Sequence, residues 1–215
     1  MASVPAVETR TTRGEETAGR ILDAAATVFA RRGLAGTRVR DIATEAGVNV
    51  ATLYIYFPSK QHLHEAVLER GLQPLIEILV RFADEPDKQA ATAPTIDAVM
   101  QHLAAHPAVP RLIYQEAVCG GELLARIGSR WFGPLDELIG HELRTGAMPS
   151  DEGFVPILGA VFLHLTLGHF ALAPLLSRIL GADFESPEAL RRQTQLLTTL
   201  ARQLSITARD LGDGR

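Results

Sequence analysis

The chain has 215 residues, a formal net charge of −4 and an apolar fraction of 47%, enough hydrophobic material for a core and too much for a disordered polymer. Its single cysteine, Cys119, excludes an internal disulfide framework and fits a reducing cytoplasm. The richest apolar run, Phe154 to Leu176, is interrupted by Pro156, His164, His169 and Pro174, so it falls short of the roughly 18 uninterrupted residues that mark a membrane span, and no export signal is expected.

Charge is uneven along the chain. Residues 1–60 hold eight Lys and Arg against six acids, and the remainder holds thirteen against nineteen. A mildly basic head on an acidic body fits a polyanion as the partner of the head.

Residues 1–13 lack periodicity and read as a flexible arm, with Arg10 and Arg13 either solvated or held near phosphates. In "EETAGRILDAAATVFARRG", Ile21, Leu22, Ala25, Val28 and Phe29 form one stripe of an amphipathic helix. Glu15 and Glu16 at its start and Arg31 and Arg32 at its end suit the macrodipole, and Gly33 suits a left-handed C-cap. "LAGT" reads as a turn, with Thr37 placed to N-cap a short helix, Arg38–Ala46, whose buried face is Val39, Ile42 and Ala43. Gly47 ends it, Val48 plugs the turn, and Asn49 caps the next helix, Val50–Phe57. Pro58 stops that helix and Ser59 caps a long one bearing Leu63, Ala66, Val67 and Arg70, kinked or split at Pro74. Further helices are expected near 75–83, 94–106, 109–119, 121–145, 152–179 and 186–210, with Pro94, Pro110 and Pro187 in first turns. No segment alternates like a strand. The fold class is all-α, divided into an arm (1–13), a head (14–71) and a helical body (72–215).

The arrangement of 38–46, "GVN" and 50–57 has the layout of a helix-turn-helix, in which the second helix enters the DNA major groove. Leu53 and Phe57 share one face and anchor that helix, leaving Val50, Ala51, Thr52, Tyr54 and Tyr56 to point elsewhere.

"TRVRDIATEAGVNVATLYIYFPSKQHLHEAVLE" resembles the DNA-binding module of the TetR family of bacterial repressors. The resemblance is carried by Thr37, Ile42, Ala43, Ala46, Gly47, Val48, Leu53, Tyr54, Phe57, Lys60 and Leu63, and covers about residues 14–70. It implies a dimeric, ligand-responsive regulator that is no enzyme, needs no cofactor and is cytoplasmic. Its DNA-binding residues would be Thr37, Arg38, Arg40, Asn49, Val50, Ala51, Thr52, Tyr54, Tyr56 and Lys60. Thr37 and Asn49 would cap helix starts facing phosphates, though they would cap with or without DNA. Arg40 would reach a phosphate or a guanine edge, or remain a solvated charge. Thr52 is the polar base reader, and Val50, Ala51 and the Thr52 methyl suit thymine methyls. Tyr54 and Tyr56 would donate to phosphates, the alternative for Tyr54 being plain core. Lys60 stands in a first turn, where the macrodipole disfavours a cation, and a phosphate nearby would explain it.

For a dimer contact the candidates are the last two helices, through Val155, Leu158 and Phe162 on one and Leu190, Leu197, Leu200 and Leu204 on the other. Gly159 and Gly168 would let helices approach closely, and the alternative is that both stripes fill the monomer's own core. An effector pocket in the body would draw on His102, Tyr114, Glu116, Trp131, Phe162 and His164. His102 and His106, four apart, leave a metal-responsive regulator as the alternative. No nucleophile elbow, phosphate loop or paired-histidine zinc motif points to catalysis.

Overall fold

In the computed structural model, backbone is described for residues 8–125 and 154–212 and side chains for 14–125 and 160–203. Helix α1 spans Glu8–Gly36, with a non-helical residue at Gly33. Its φ of 66° is the left-handed conformation that glycine alone adopts without penalty. The helix therefore starts within the segment expected to be a loose arm. Gly33 breaks the helix where the left-handed C-cap was expected, and a short helical segment follows to Gly36. Its core face is Ile21, Ala24, Ala25, Val28 and Phe29, as the periodicity requires, with Leu22 only half-buried.

Helix α2 (Val39–Glu45) buries Ile42 and Ala43. Helix α3 (Val50–Tyr56) buries Leu53. Helix α4 (Lys60–Asp84) runs through Pro74 without ending. The expected split is absent because Leu68 and Leu75 are buried on either side of the proline, and one missing hydrogen bond does not outweigh that burial. The Ser59 hydroxyl accepts from the His62 amide at 3.0 Å and caps α4 as expected.

Helix α5 (Lys88–Ala105) starts six residues earlier than the proline pattern indicated. The Asp87 carboxylate accepts from the Ala90 amide at 3.0 Å and sets the start, so Pro94 lies inside the helix rather than in its first turn. Helix α6 spans Ala108–Val118, α7 Phe154–Leu180 and α8 Pro187–Gly212. Pro110 and Pro187 do sit in first turns. Beyond a turn of helix at 122–125, the expected helix 121–145 lies outside the described residues. Among the described residues there is no strand.

Helix α7 corrects the reading of its run as interrupted. It continues through Pro174, and Ala160–Leu180 is long and apolar enough to cross a membrane by length and composition alone. One face of it nevertheless belongs to a core, through Leu167, Phe170 and Ala173.

The chain divides into two compact units, Met1–Gly71 and Leu72–Arg215. In the first, Phe29, Ile21, Ile42, Leu53 and Leu63 are fully buried. In the second, α8 and α7 pack on α5 and α6 packs on α7. Leu75, Met100, Leu103, Leu167, Phe170 and Leu197 form that core, flanked by half-buried Tyr114, Phe162 and Leu190.

Candidate nucleic-acid interface

The turn between α2 and α3 is built by backbone. The Ala46 and Gly47 amides donate to Ile42 and Thr44 carbonyls at 2.9 and 3.1 Å, and Gly47 turns the chain with a φ of 64°. Val48 returns inward, its amide on the Ala43 carbonyl at 2.9 Å. The Asn49 side chain accepts from the Thr52 amide at 2.6 Å and starts α3. Arg20 of α1 donates to the Ala46 carbonyl at 3.1 Å, tying the turn to the unit's longest helix. Sequence reasoning missed this tie, because a contact across 26 residues has no local signature.

Helix α3 has one anchored face and one open face. Leu53 is fully buried and Phe57 nearly so. Val50, Tyr54 and Ile55 are 38, 47 and 79% exposed. Ala51 and Asn49 are exposed and Thr52 is half-buried. Ile55 was not among the residues singled out from sequence, although periodicity contains the signal. It lies two residues, about 200°, from Leu53 and so points away from the anchor. Tyr56 is half-buried, its hydroxyl 3.9 Å from where a Cβ on Gly14 would stand.

Around this helix, Arg38 and Arg40 are exposed, Arg38 in the N-cap position of α2. Arg32 is paired with Asp41 at 2.5 Å and Arg31 with Glu45 at 3.5 Å, which leaves the α1 arginines partly neutralised.

Two expected contacts take another form. Thr37 does not cap α2, whose start has no side-chain cap. It is 3% exposed, and its hydroxyl donates back to the Gly33 carbonyl at 2.7 Å. The hydroxyl thus serves the end of α1 and not the start of α2. Lys60 is likewise engaged within the protein, donating to the Leu34 and Thr37 carbonyls at 2.7 and 3.1 Å.

In the body, Tyr114 and Phe162 both flank the core. His164 does not join them: it is exposed, two residues from Phe162 on α7, with Nδ1 2.6 Å from the Ala160 carbonyl. Glu116 accepts from the Leu123 amide at 3.1 Å. The His102 and His106 rings lie 4.7 Å apart. Gly168 gives room to the Tyr114 hydroxyl of α6, 3.1 Å from where its Cβ would be, and so lets α6 approach α7 closely. Trp131 and the side chains of Val155, Leu158 and Leu204 lie outside the described residues.

Of the expected dimer residues, Leu197 is fully buried in the monomer core and Phe162 and Leu190 flank it. Leu200 is half-buried. The exposed apolar side chains of α7 are others: Val161, Leu172, Leu175 and Ile179 follow one stripe opposite the core-facing Leu167, Phe170 and Ala173.

Residues 21–67 match the model of the bacterial regulatory proteins of the tetR family. The chain is 35% identical over 104 residues to the HTH-type transcriptional repressor SCO4008 of Streptomyces coelicolor, covering 48% of this chain and 51% of that one. It is 37% identical over 122 residues to the HTH-type transcriptional repressor KstR2 of Rhodococcus jostii, covering 55% and 57%. These matches span about half the length of the relatives. Over nearly the whole length, the fold is similar to the crystal structure of a putative transcriptional regulator, SCO4942, from Streptomyces coelicolor. There the TM-score is 0.60 at 29% identity, covering 87% of this chain and 97% of that one. The family match is centred on α1 to α4 and contains the open face of α3: residues 21–67 are similar to the DNA-binding region of the bacterial regulatory proteins of the tetR family.

Proposed function

We propose that the protein is a dimeric DNA-binding transcriptional regulator, a repressor in its basic action, released from a palindromic operator by a small molecule. The observation that carries the DNA reading is α3 itself. A seven-residue helix is anchored through Leu53 and leaves Val50, Tyr54 and Ile55 open beside Asn49 and Thr52. A helix with this division fits a major groove, with apolar side chains against thymine methyls and Thr52 on a base edge. Arg38, Arg40 and the tyrosine hydroxyls supply the phosphate contacts. Relatives named as HTH-type transcriptional repressors support the sign of the regulation.

One such helix makes few contacts, and two-fold pairing doubles them on half-sites about one helical turn apart. The apolar stripe of α7 (Val161, Leu172, Leu175, Ile179) supports a second copy of this chain as the pairing partner. The effector would bind in the body near Tyr114, Phe162 and His102, and shift the population toward a conformation that fits the operator less well. A metal effector has less support: His102 and His106 are close, but among the described residues no three His, Cys, Asp or Glu side chains gather into a metal-holding group.

An unbiased selection of duplexes by the purified protein, followed by salt titration, tests the reading. The expected result is a palindromic consensus whose affinity falls steeply and linearly in log salt. No enriched duplex at moderate ionic strength would sink it.

A further inference from the structure

Among its 21 basic Lys and Arg residues the chain has only two lysines, Lys60 and Lys88. Both do the same thing. Lys88 donates to the carbonyls of Phe82, Ala83 and Glu85, at 2.9 Å and 2.8 Å for the first and last, just beyond the end of α4 at Asp84. Lys60 donates to the carbonyls of Leu34 and Thr37 at 2.7 and 3.1 Å, beside the end of α1. Carbonyls at helix ends lack intrahelical donors and carry the negative pole of the helix. A cluster of such carbonyls needs a compact cation whose donors can diverge from one atom. An ammonium meets that need; the flat fork of a guanidinium does not.

The Lys60 contact has a further consequence. Thr37 and Lys60 flank residues 38–59, the segment that holds α2, the turn and α3. The Lys60 bond to the Thr37 carbonyl closes that segment at its base. Thr37 completes the closure by donating its own hydroxyl to Gly33, while the Leu34 carbonyl accepts from Lys60 as well. The two polar motif positions that frame the helix-turn-helix thus form one coupled device.

We infer that Lys60 is a positioning residue: its ammonium clamps the two ends of the helix-turn-helix together. The clamp stands on the contacts alone; its meaning for recognition rests on the DNA-binding reading above.

The test compares the full chain with Lys60→Arg and Lys60→Met. Both variants are expected to melt about 5 °C or more below the wild type. A Lys60→Arg chain as stable as the wild type overturns the clamp. Should either variant fail to fold, amine acetylation of the wild type, read by mass spectrometry, decides. Lys60 should react at least about tenfold more slowly in the native chain than in urea, and equal rates overturn the clamp. If the wild type selects no duplex, melting and labelling still decide the clamp, and only the DNA reading falls.

Discussion

Helices α3 and α7 both leave large apolar side chains in the open, and their surroundings differ. On α3, Ile55 is 79% exposed beside Asn49 and Thr52, within a unit whose first sixty residues carry a net positive charge. On α7, Leu175 and Ile179 are 53 and 66% exposed on a stripe that continues to Leu172. Apolar groups mixed with hydrogen-bonding side chains and cations match a groove lined by methyls, base edges and phosphates. A continuous apolar stripe matches only another apolar surface, because anything polar set against it would lose its hydration without a partner. Exposure alone therefore says little, and the neighbours of the exposed group assign its partner.

The comparison can be broken in order of expected effect. Replacing Leu175 and Ile179 together by aspartate places two charges on the α7 stripe. The dimer is expected to weaken more than about 1,000-fold, a cost of roughly 4 kcal/mol, read by sedimentation. A variant as dimeric as the wild type would place the self-contact elsewhere. On α3, Ile55→Ala is expected to relax selectivity at one or two base pairs by about 1–3 kcal/mol without changing the oligomeric state. A uniform loss across all sequences would move Ile55 from reading to positioning. Asn49→Ala removes the side-chain acceptor for the Thr52 amide. It should cost about 1 kcal/mol of stability, seen as a lower denaturant midpoint.

The smallest effect concerns the side of α7 next to its core. His169 is half-buried with its ring against Phe170 at 5.0 Å, and burial holds its pKa below the ordinary histidine value. The unfolded chain binds that proton more readily than the folded one. The contribution of His169 is thus fully present above the unfolded pKa, near 6.5, and is lost as pH falls through the lower folded value. Wild type should lose more stability between pH 7.5 and pH 5 than His169→Leu does, and matching melting curves would remove His169 from the pH response.

Local rules carried much of the α1 to α4 unit. The 3.6-residue stripe located Ile21, Ala25, Val28 and Phe29 on α1, and Leu53 with Phe57 set the buried side of α3. Gly33, Gly47, Asn49 and Ser59 marked ends and starts because their chemistry acts within four residues. The same rules misplaced Thr37, read as a cap for α2, and did not show that Lys60 reaches the Leu34 and Thr37 carbonyls, because those partners are fixed by how α1, α2 and α4 meet. They also misjudged Leu197, read as a contact with another chain and found in the monomer's own core.

What the sequence by itself determined here is the helical class and the helix-turn-helix, because apolar periodicity and cap chemistry act over one or two turns. What only the tertiary structure decided is which side chains remain available to a partner. Leu197 is closed off, Ile55 is open, and α7 turns its apolar stripe away from its core. Availability depends on atoms distant in sequence, and on which of two competing faces of a nearly all-apolar helix the other helices cover.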